Sequence, residues 1–204
     1  MKNKSYINLK DASIQCIKDI SNLLLKDHQI KNIFLSVGKS LDVIKDNLSK
    51  LKLKKKNNLF LTDERVTKQK SYLNSIKIKK IKNKNIRFRD NFNLKNLKNL
   101  NKINKLLPKK NYIVIMGVGE DGHIASIFNL KEKLIFNKNL IFTKKNDENF
   151  FRISLSYEYL SNSKKIFIVF NNNKKIRQIK NKRSIIYKFL KKNNYKIFNY
   201  FVTK

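Results

Sequence analysis

The chain has 204 residues, 41% of them hydrophobic and 11% aromatic, which is enough for a substantial packed core and excludes a disordered chain. Its 48 Lys and Arg against 14 Asp and Glu leave a formal net charge of +34, and its one cysteine, Cys16, excludes an internal disulfide and a cysteine-cluster metal site. No apolar run approaches the roughly 20 residues that span a bilayer, and Met1 to Ser5 carry no apolar signal core, so no membrane partner and a cytoplasmic location are expected.

The charge has two readings. Dense lysine neutralises phosphates, so a basic nucleic-acid-binding protein is one of them. The other is compositional bias: Lys, Asn and Ile, with AT-rich codons, are heavily used, while Pro occurs once, Gly four times and Trp not at all. The basic residues are spread along the whole chain rather than gathered in a tail or stripe, which favours bias. No specific nucleic-acid partner is therefore expected, only nonspecific attraction of polyanions at low salt.

In chain order, Ile7, Ile14, Ile17, Ile20 and Leu24 recur at near-helical spacing and predict a helix over 7–27. Cys16 falls on that face, as packing. Ile33-Phe34-Leu35 reads as a short buried strand, followed by a turn at Ser36-Val37-Gly38-Lys39-Ser40 and a second helix through Leu41, Ile44 and Leu48. Leu59-Phe60-Leu61 is a strand ending in Thr62-Asp63-Glu64-Arg65. The lysine-rich stretches 52–56 and 77–84 are expected to be solvated. Leu94, Leu97, Leu100, Ile103 and Leu107 line one helical face over 94–107. Tyr112 to Met116 is a buried strand, Arg152 to Ser156 another, and Ile166 to Phe170 a third. A helix through Ile176, Ile179, Ile186 and Leu190 follows, then a last strand from Ile197 to Val202.

Alternating strands and helices predict one α/β domain over 1–204, a mainly parallel, Rossmann-like sheet with helices on both faces. Parallel strands end on one edge, so the polar sets Ser36–Ser40, Thr62–Arg65 and Gly117–His123 are expected to converge there.

The most informative segment is Gly117-Val118-Gly119-Glu120-Asp121-Gly122-His123-Ile124-Ala125-Ser126-Ile127-Phe128, which holds three of the four glycines and one of the two histidines. Glycine clustered after a buried strand marks a sharp turn that approaches a ligand closely. His123, two residues after Asp121, suits a general base that draws a proton from water; His28 has no such setting and reads as surface. Gly38-Lys39-Ser40 lacks the Gly that a nucleotide-binding P-loop needs five residues earlier, where Ile33 stands. It remains a strand-to-helix turn suited to an anion. In Asp63-Glu64-Arg65 a carboxylate would hold sugar hydroxyls and Arg65 a negative group, although such a triplet is commonly a surface ion pair. Arg152 and Lys174 would clamp a phosphate, or be ordinary surface cations.

Together these residues resemble the glucosamine-6-phosphate isomerase-like family, in its 6-phosphogluconolactonase branch. The Gly117–Phe128 stretch is similar to the signature G-x-G-x-D-G-H-x-A-S-[LI]-F, Thr62-Asp63-Glu64-Arg65-Val66 to the D-E-R-x-V element, Arg152-Ile153-Ser154-Leu155-Ser156 to R-[VI]-[TS]-L-[TS], and Phe167 to Lys174 to F-L-V-x-G-x-x-K. The resemblance covers roughly Ile33 to Val202 with motif order intact.

It implies a metal-free, cofactor-free hydrolysis of 6-phosphoglucono-1,5-lactone, a sugar-phosphate lactone of the pentose phosphate pathway. By position, His123 would be the base; Arg65, Arg152 and Lys174 would hold phosphate or sugar oxygens; Asp63 would lie near the ring; Asp121 would orient the turn. Gly38, Lys39, Ser40, Glu64, Gly117, Gly119 and Gly122 would complete the substrate site. The deaminase branch carries a Glu five residues after its His, where this chain has Phe128, so a deaminase or isomerase is the lesser reading. The chain departs from the family at the first turn, normally S-G-G-S-T-P, and before Lys174, where the Gly is replaced in Asn171-Asn172-Asn173. The S-N pair expected after D-E-R has two candidate positions, Ser71-Tyr72 and Asn74-Ser75. Oligomeric state is not legible.

Overall fold

The computed structural model describes residues 1–51, 53–93, 97, 99–128, 134–145 and 147–203, with 134–137 described by backbone alone. A seven-stranded parallel sheet runs in the order β1 (Lys2–Tyr6), β11 (Ile197–Val202), β10 (Lys165–Phe170), β6 (Tyr112–Gly117), β2 (Asn32–Leu35), β3 (Asn57–Leu61), β5 (Ile86–Phe88). The central strands are continuous apolar runs because both of their faces are covered; every side chain from Tyr112 to Met116 is fully buried.

Seven helices are described: α1 (Leu9–Lys26), α2 (Asp42–Leu48), α3 (Asn74–Ile78), α4 (Leu100–Leu106), α5 (Tyr157–Ser161), α6 (Asn173–Arg177) and α7 (Ile185–Asn193). The strand register shows that they cover both faces. Tyr200 of β11 donates to Asp19 of α1 at 2.6 Å, so that side of β11 faces α1. Ile197 lies on the other side, in register with Ile166, Val114 and Phe34 in turn. Phe34 meets the edge of Tyr159 of α5 at 5.6 Å and of Tyr112 at 5.3 Å, and it stacks on Phe60 at 5.0 Å. The Tyr112 hydroxyl donates to the Tyr159 carbonyl at 2.6 Å, which satisfies a polar group buried at the centre of this aromatic cluster.

Strand β2 leads outward to β3, and β6 leads the other way to β10, so the chain reverses direction across the sheet between β2 and β6. Such a boundary opens a crevice beyond the carboxyl ends of the strands.

A second, antiparallel sheet has the order β4 (Asp63–Val66), β9 (Phe151–Leu155), β8 (Leu140–Lys144), β7 (Leu134–Asn137). Only Thr62 separates β3 from β4, and its carbonyl accepts the Leu155 N–H at 2.8 Å, so the chain passes directly from one sheet to the other. The polar end expected of the Leu59–Leu61 strand is thus a strand of its own, Asp63–Val66, and Arg152–Leu155 belongs to this antiparallel sheet rather than to the parallel one.

Other boundaries differ too. The first helix starts after Ile7, which is 75% exposed, because Asn8 caps it by accepting the Asp11 N–H at 2.9 Å. Strand β1 precedes it; an edge strand of Lys, Asn and Ser has no apolar alternation to announce it. The predicted helix over 94–107 is seen as α4; Leu94 lies outside the described residues, and Leu107 is the cap. The helix from Ile176 to Leu190 is two helices, because Ser184 caps a new start by accepting the Tyr187 N–H at 3.1 Å. The described lysines of 52–56 and 77–84 are partly or fully exposed, although Leu53 and Ile78 between them are buried; Lys52 lies outside the described residues. Cys16 is fully buried, and burial pushes its thiol well up, as suits a packing role.

Phe34 anchors the aromatic cluster, so Phe34→Ala is expected to cost about 3–5 kcal/mol of unfolding free energy. Chemical denaturation measures it; a loss below about 1 kcal/mol would move the centre of the core elsewhere.

Candidate active site

The turn after β6 is built around two glycines. Gly119 donates its N–H to the His123 carbonyl at 2.9 Å, and Gly122 donates to the Gly119 carbonyl at 3.1 Å. Gly122 has φ +84°, a conformation costly for other residues, and a Cβ there would stand 2.7 Å from the Ser184 side chain. At Gly119 a Cβ would stand 2.1 Å from His123 Nδ1 and 2.5 Å from Asp121 Oδ1, so any side chain would displace the imidazole. The glycines thus let the ring lie directly over the backbone.

Asp121 Oδ1 accepts from the His123 backbone N–H at 3.2 Å and meets His123 Nδ1 at 2.5 Å. Burial pushes the Asp121 carboxyl up, but the hydrogen bond and charge of His123, with backbone N–H groups, outweigh it and hold the carboxyl at about 2. An ionised carboxylate only accepts, so in the neutral imidazole the tautomer is the one with the proton on Nδ1 and the lone pair on Nε2. The imidazole packs against Phe128, ring centroids 4.7 Å apart.

His123 lines a cavity of about 300 Å³ beyond the β2–β6 boundary, together with Ser36–Leu41 and Gly117–Gly119. All three expected polar sets reach it, the second through Asp63 and Arg65. Five cations line it: Lys39, Arg65, Lys145, Arg152 and Lys175.

The second sheet explains which side chains arrive. Successive strand residues point to opposite faces, so Asp63 and Arg65 face the cavity and Glu64 does not. Arg65 is the register partner of Arg152 across β4 and β9, which puts both guanidinium groups on the same side. Asp63, 4% exposed, accepts from Thr62 Oγ1 at 2.8 Å and Ser126 Oγ at 2.7 Å, and Thr62 in turn shares a 2.8 Å hydrogen bond with Ser36. This buried chain ties the first turn, β4 and the glycine segment together.

Glu64 corrects the expectation of a substrate ligand. Its carboxylate is buried and accepts the backbone N–H groups of Arg65 at 2.8 Å and of Asn74 and Ser75 at 2.7 Å each. Burial raises its pKa, and those N–H groups pull it back only in part. Arg65 donates to the Tyr72 carbonyl at 3.2 Å and to the Asn74 side chain, whose Nδ2 donates to the Asp63 carbonyl at 3.0 Å. Of the two candidate positions for the S-N pair, Asn74-Ser75 is therefore the one joined to Asp63-Glu64-Arg65.

Lys174 is also corrected. Its side chain is 75% exposed and 4.0 Å from Glu120 at the surface. Lys175 is the lysine that faces the cavity, because neighbours on a helix point about 100° apart. Lys175 Nζ donates to Ser40 Oγ at 2.9 Å, and Ser40 Oγ donates to Asn171 Oδ1 at 3.0 Å. Burial lowers the Lys175 pKa, Glu120 and Asp121 oppose this, and Lys39 adds to it. Asp121 and Gly122 do not line the cavity; Asp121 touches it only through its hydrogen bonds to His123. Gly38 has an ordinary extended φ of −176°, and a Cβ there would meet nothing within 4 Å. The altered first turn therefore carries no backbone strain at Gly38.

Sequence reasoning missed Lys175, Lys145 and Ser126 as part of the site. Ser126 stood inside the signature, but Lys175 and Lys145 carried no signal among so many lysines. His28 is exposed. Among the described residues no cluster of three His, Cys, Asp or Glu is placed to hold a metal ion, and no helix is long and apolar enough to cross a membrane.

Residues 7–184 match the family described as glucosamine-6-phosphate isomerases/6-phosphogluconolactonase. The chain is similar to the 6-phosphogluconolactonases of two Helicobacter pylori strains, 28% identical over 210 residues, covering 91% of this chain and 85% of each relative. Its fold is similar to that of the 6-phosphogluconolactonase from Thermotoga maritima, with TM-score 0.76, 22% identity and coverage of 100% of this chain and 99% of that one. It is likewise similar to that of a 6-phosphogluconolactonase from Shewanella baltica, with TM-score 0.80, 15% identity and coverage of 100% and 98%. With the match running across most of its length, the chain belongs to the glucosamine-6-phosphate isomerase/6-phosphogluconolactonase family.

Proposed function

We propose that this chain hydrolyses 6-phosphoglucono-1,5-lactone to 6-phosphogluconate, a step of the oxidative pentose phosphate pathway. The observation that carries the reading is the Asp121–His123 pair at 2.5 Å, with its imidazole on a cavity lined by five cations.

In this reading Nε2 of His123 takes a proton from water, and the hydroxide adds to the lactone carbonyl carbon. Asp121 stabilises the imidazolium that forms. Negative charge builds on the carbonyl oxygen, where N–H groups of the glycine turn or a cavity guanidinium would stabilise it; one such donor is typically worth about 3 kcal/mol. The ring C–O bond then breaks, and the imidazolium returns its proton to the departing alkoxide. The phosphate lies toward Lys39, Ser40 and Lys175, and Arg65 and Arg152 hold the remaining oxygens. Phe128 argues against a deaminase, since an aromatic ring packed on the imidazole replaces the carboxylate which that chemistry uses.

Because the lactone opens spontaneously, purified protein is to be compared with buffer at the same pH. Acceleration is expected, and His123→Ala should lower kcat by about a hundredfold or more; near-normal turnover would defeat the assignment. Release of ammonia from glucosamine 6-phosphate, without lactone hydrolysis, would replace the reading by the deaminase one.

Asp121→Asn removes the charge that fixes the tautomer, because the amide can also donate to Nδ1, and should cut kcat by about a hundredfold or more while KM stays nearly constant. The wild-type pair is present above the ordinary aspartate range and is lost only as pH falls through about 2, so Asp121 contributes no inflection to a rate profile measured above about pH 5.

Lys175→Ala should raise KM by about tenfold and Lys174→Ala by less than about twofold. The reverse order in steady-state kinetics would return the phosphate role to Lys174.

A further inference from the structure

The cavity cations are not equally available. Arg152 is 8% exposed and lies against two aromatic rings, its guanidinium carbon 5.4 Å from the centre of Phe128 and 6.0 Å from that of Phe150. Its Nε donates to Glu148 Oε2 at 2.7 Å and its Nη2 to Glu148 Oε1, so one carboxylate takes the whole side-on edge of the guanidinium. Nη1 is left with Ser126 Oγ at 3.5 Å. A bidentate carboxylate uses the same fork, with the same geometry, that a phosphate would use. Glu148 also lines a neighbouring cavity of about 580 Å³ that shares Arg65 with the active-site cavity. The carboxylate therefore stands at the boundary of the site.

We infer that Glu148 is a resident counter-anion, a substrate-phosphate mimic that occupies the Arg152 fork and sets how tightly the cavity holds a phosphorylated ligand. The inference rests on the reading that this cavity receives the phosphorylated lactone. An incoming phosphate dianion gains the side-on edge only by displacing Glu148, or else is held by the end-on N–H groups of Nη1 and Nη2 with the carboxylate still beside it. Either way the pair offsets part of the attraction that five cations would exert, and it eases departure of a product that carries a phosphate and a new carboxylate. The neighbouring pair, Asp147 with Lys145 at 2.7 Å, is different in kind: the Asp147 side chain is 68% exposed and solvent screens it.

Glu148→Gln keeps the side-chain length and one acceptor while removing the charge. KM for the lactone is expected to fall about tenfold with kcat within about twofold, and inhibition by 6-phosphogluconate to tighten by a similar factor. Calorimetric titration with inorganic phosphate should show the same tightening without any turnover. A KM and a phosphate Kd that are unchanged or raised would overturn the inference and leave Glu148 a mere prop for Arg152. Equal tightening in Asp147→Asn would also overturn it, since general loop charge would then be the cause. Should Glu148→Gln not fold, Glu148→Ala, which removes the carboxylate altogether, is held to the same expectation. The two readings fail separately. A wild-type protein without lactonase activity whose phosphate binding still tightens on Glu148→Gln sinks the lactonase reading alone. An active wild type with no tightening sinks the counter-anion alone.

Discussion

The parallel pairing of β2 with β6, Phe34 beside Val114 and Leu35 beside Ile115, sets the distance between the first turn and the glycine turn. Both strands are buried on both faces, and their ends emerge side by side where the chain reverses direction across the sheet. A Cβ on Gly117 would stand 3.1 Å from the Ser40 Cβ, so the two turns are in contact. The imidazole over its own backbone, the lysine on Ser40 and the cavity between them all follow from that adjacency. Loss of this pairing would separate His123 from the cations that line the same cavity.

The antiparallel sheet supplies what the parallel one cannot. A strand end delivers one or two side chains to a crevice, whereas β4 and β9 lie alongside it and present Arg65 and Arg152 from opposed positions. Two guanidinium groups on one face repel unless something offsets them. Asn74 holds one by a neutral hydrogen bond and Glu148 the other by an ion pair. With 14 acidic residues in the chain, the acids near the site have distinct tasks: Asp121 orients, Asp63 links three segments, Glu64 gathers backbone N–H groups, and Glu148 meets Arg152. The excess of lysine elsewhere adds a positive field that draws any phosphorylated ligand toward the molecule.

The legible features were those in which local chemistry and final environment agree. Apolar runs such as Ile113–Met116 can only be buried, and the glycines of 117–122 answer to local demands, a positive φ at Gly122 and the His123 ring over Gly119. The edge strand Lys2–Tyr6 and the strand Asp63–Val66 were opaque because neither alternates apolar and polar residues. Both take their conformation from a partner distant in sequence, β11 and β9 respectively. The break between α6 and α7 was hidden because Ile176, Ile179, Ile186 and Leu190 keep helical spacing across it, while the Ser184 cap shows only in the local hydrogen bonds.

From its order of residues alone, then, this protein determined its buried strands, the glycine turn with Asp121 and His123, and a family resemblance carried by short contiguous motifs. Those depend on contacts within a few residues or on burial itself, both of which leave a pattern in the chain. Tertiary structure decided which charges reach the cavity: Lys175 rather than Lys174, Asp63 and Arg65 rather than Glu64, and Arg152 held by Glu148. A lysine's role depends on which way its helix or strand turns it and on what lies opposite, and neither is written in a sequence where nearly one residue in four is basic.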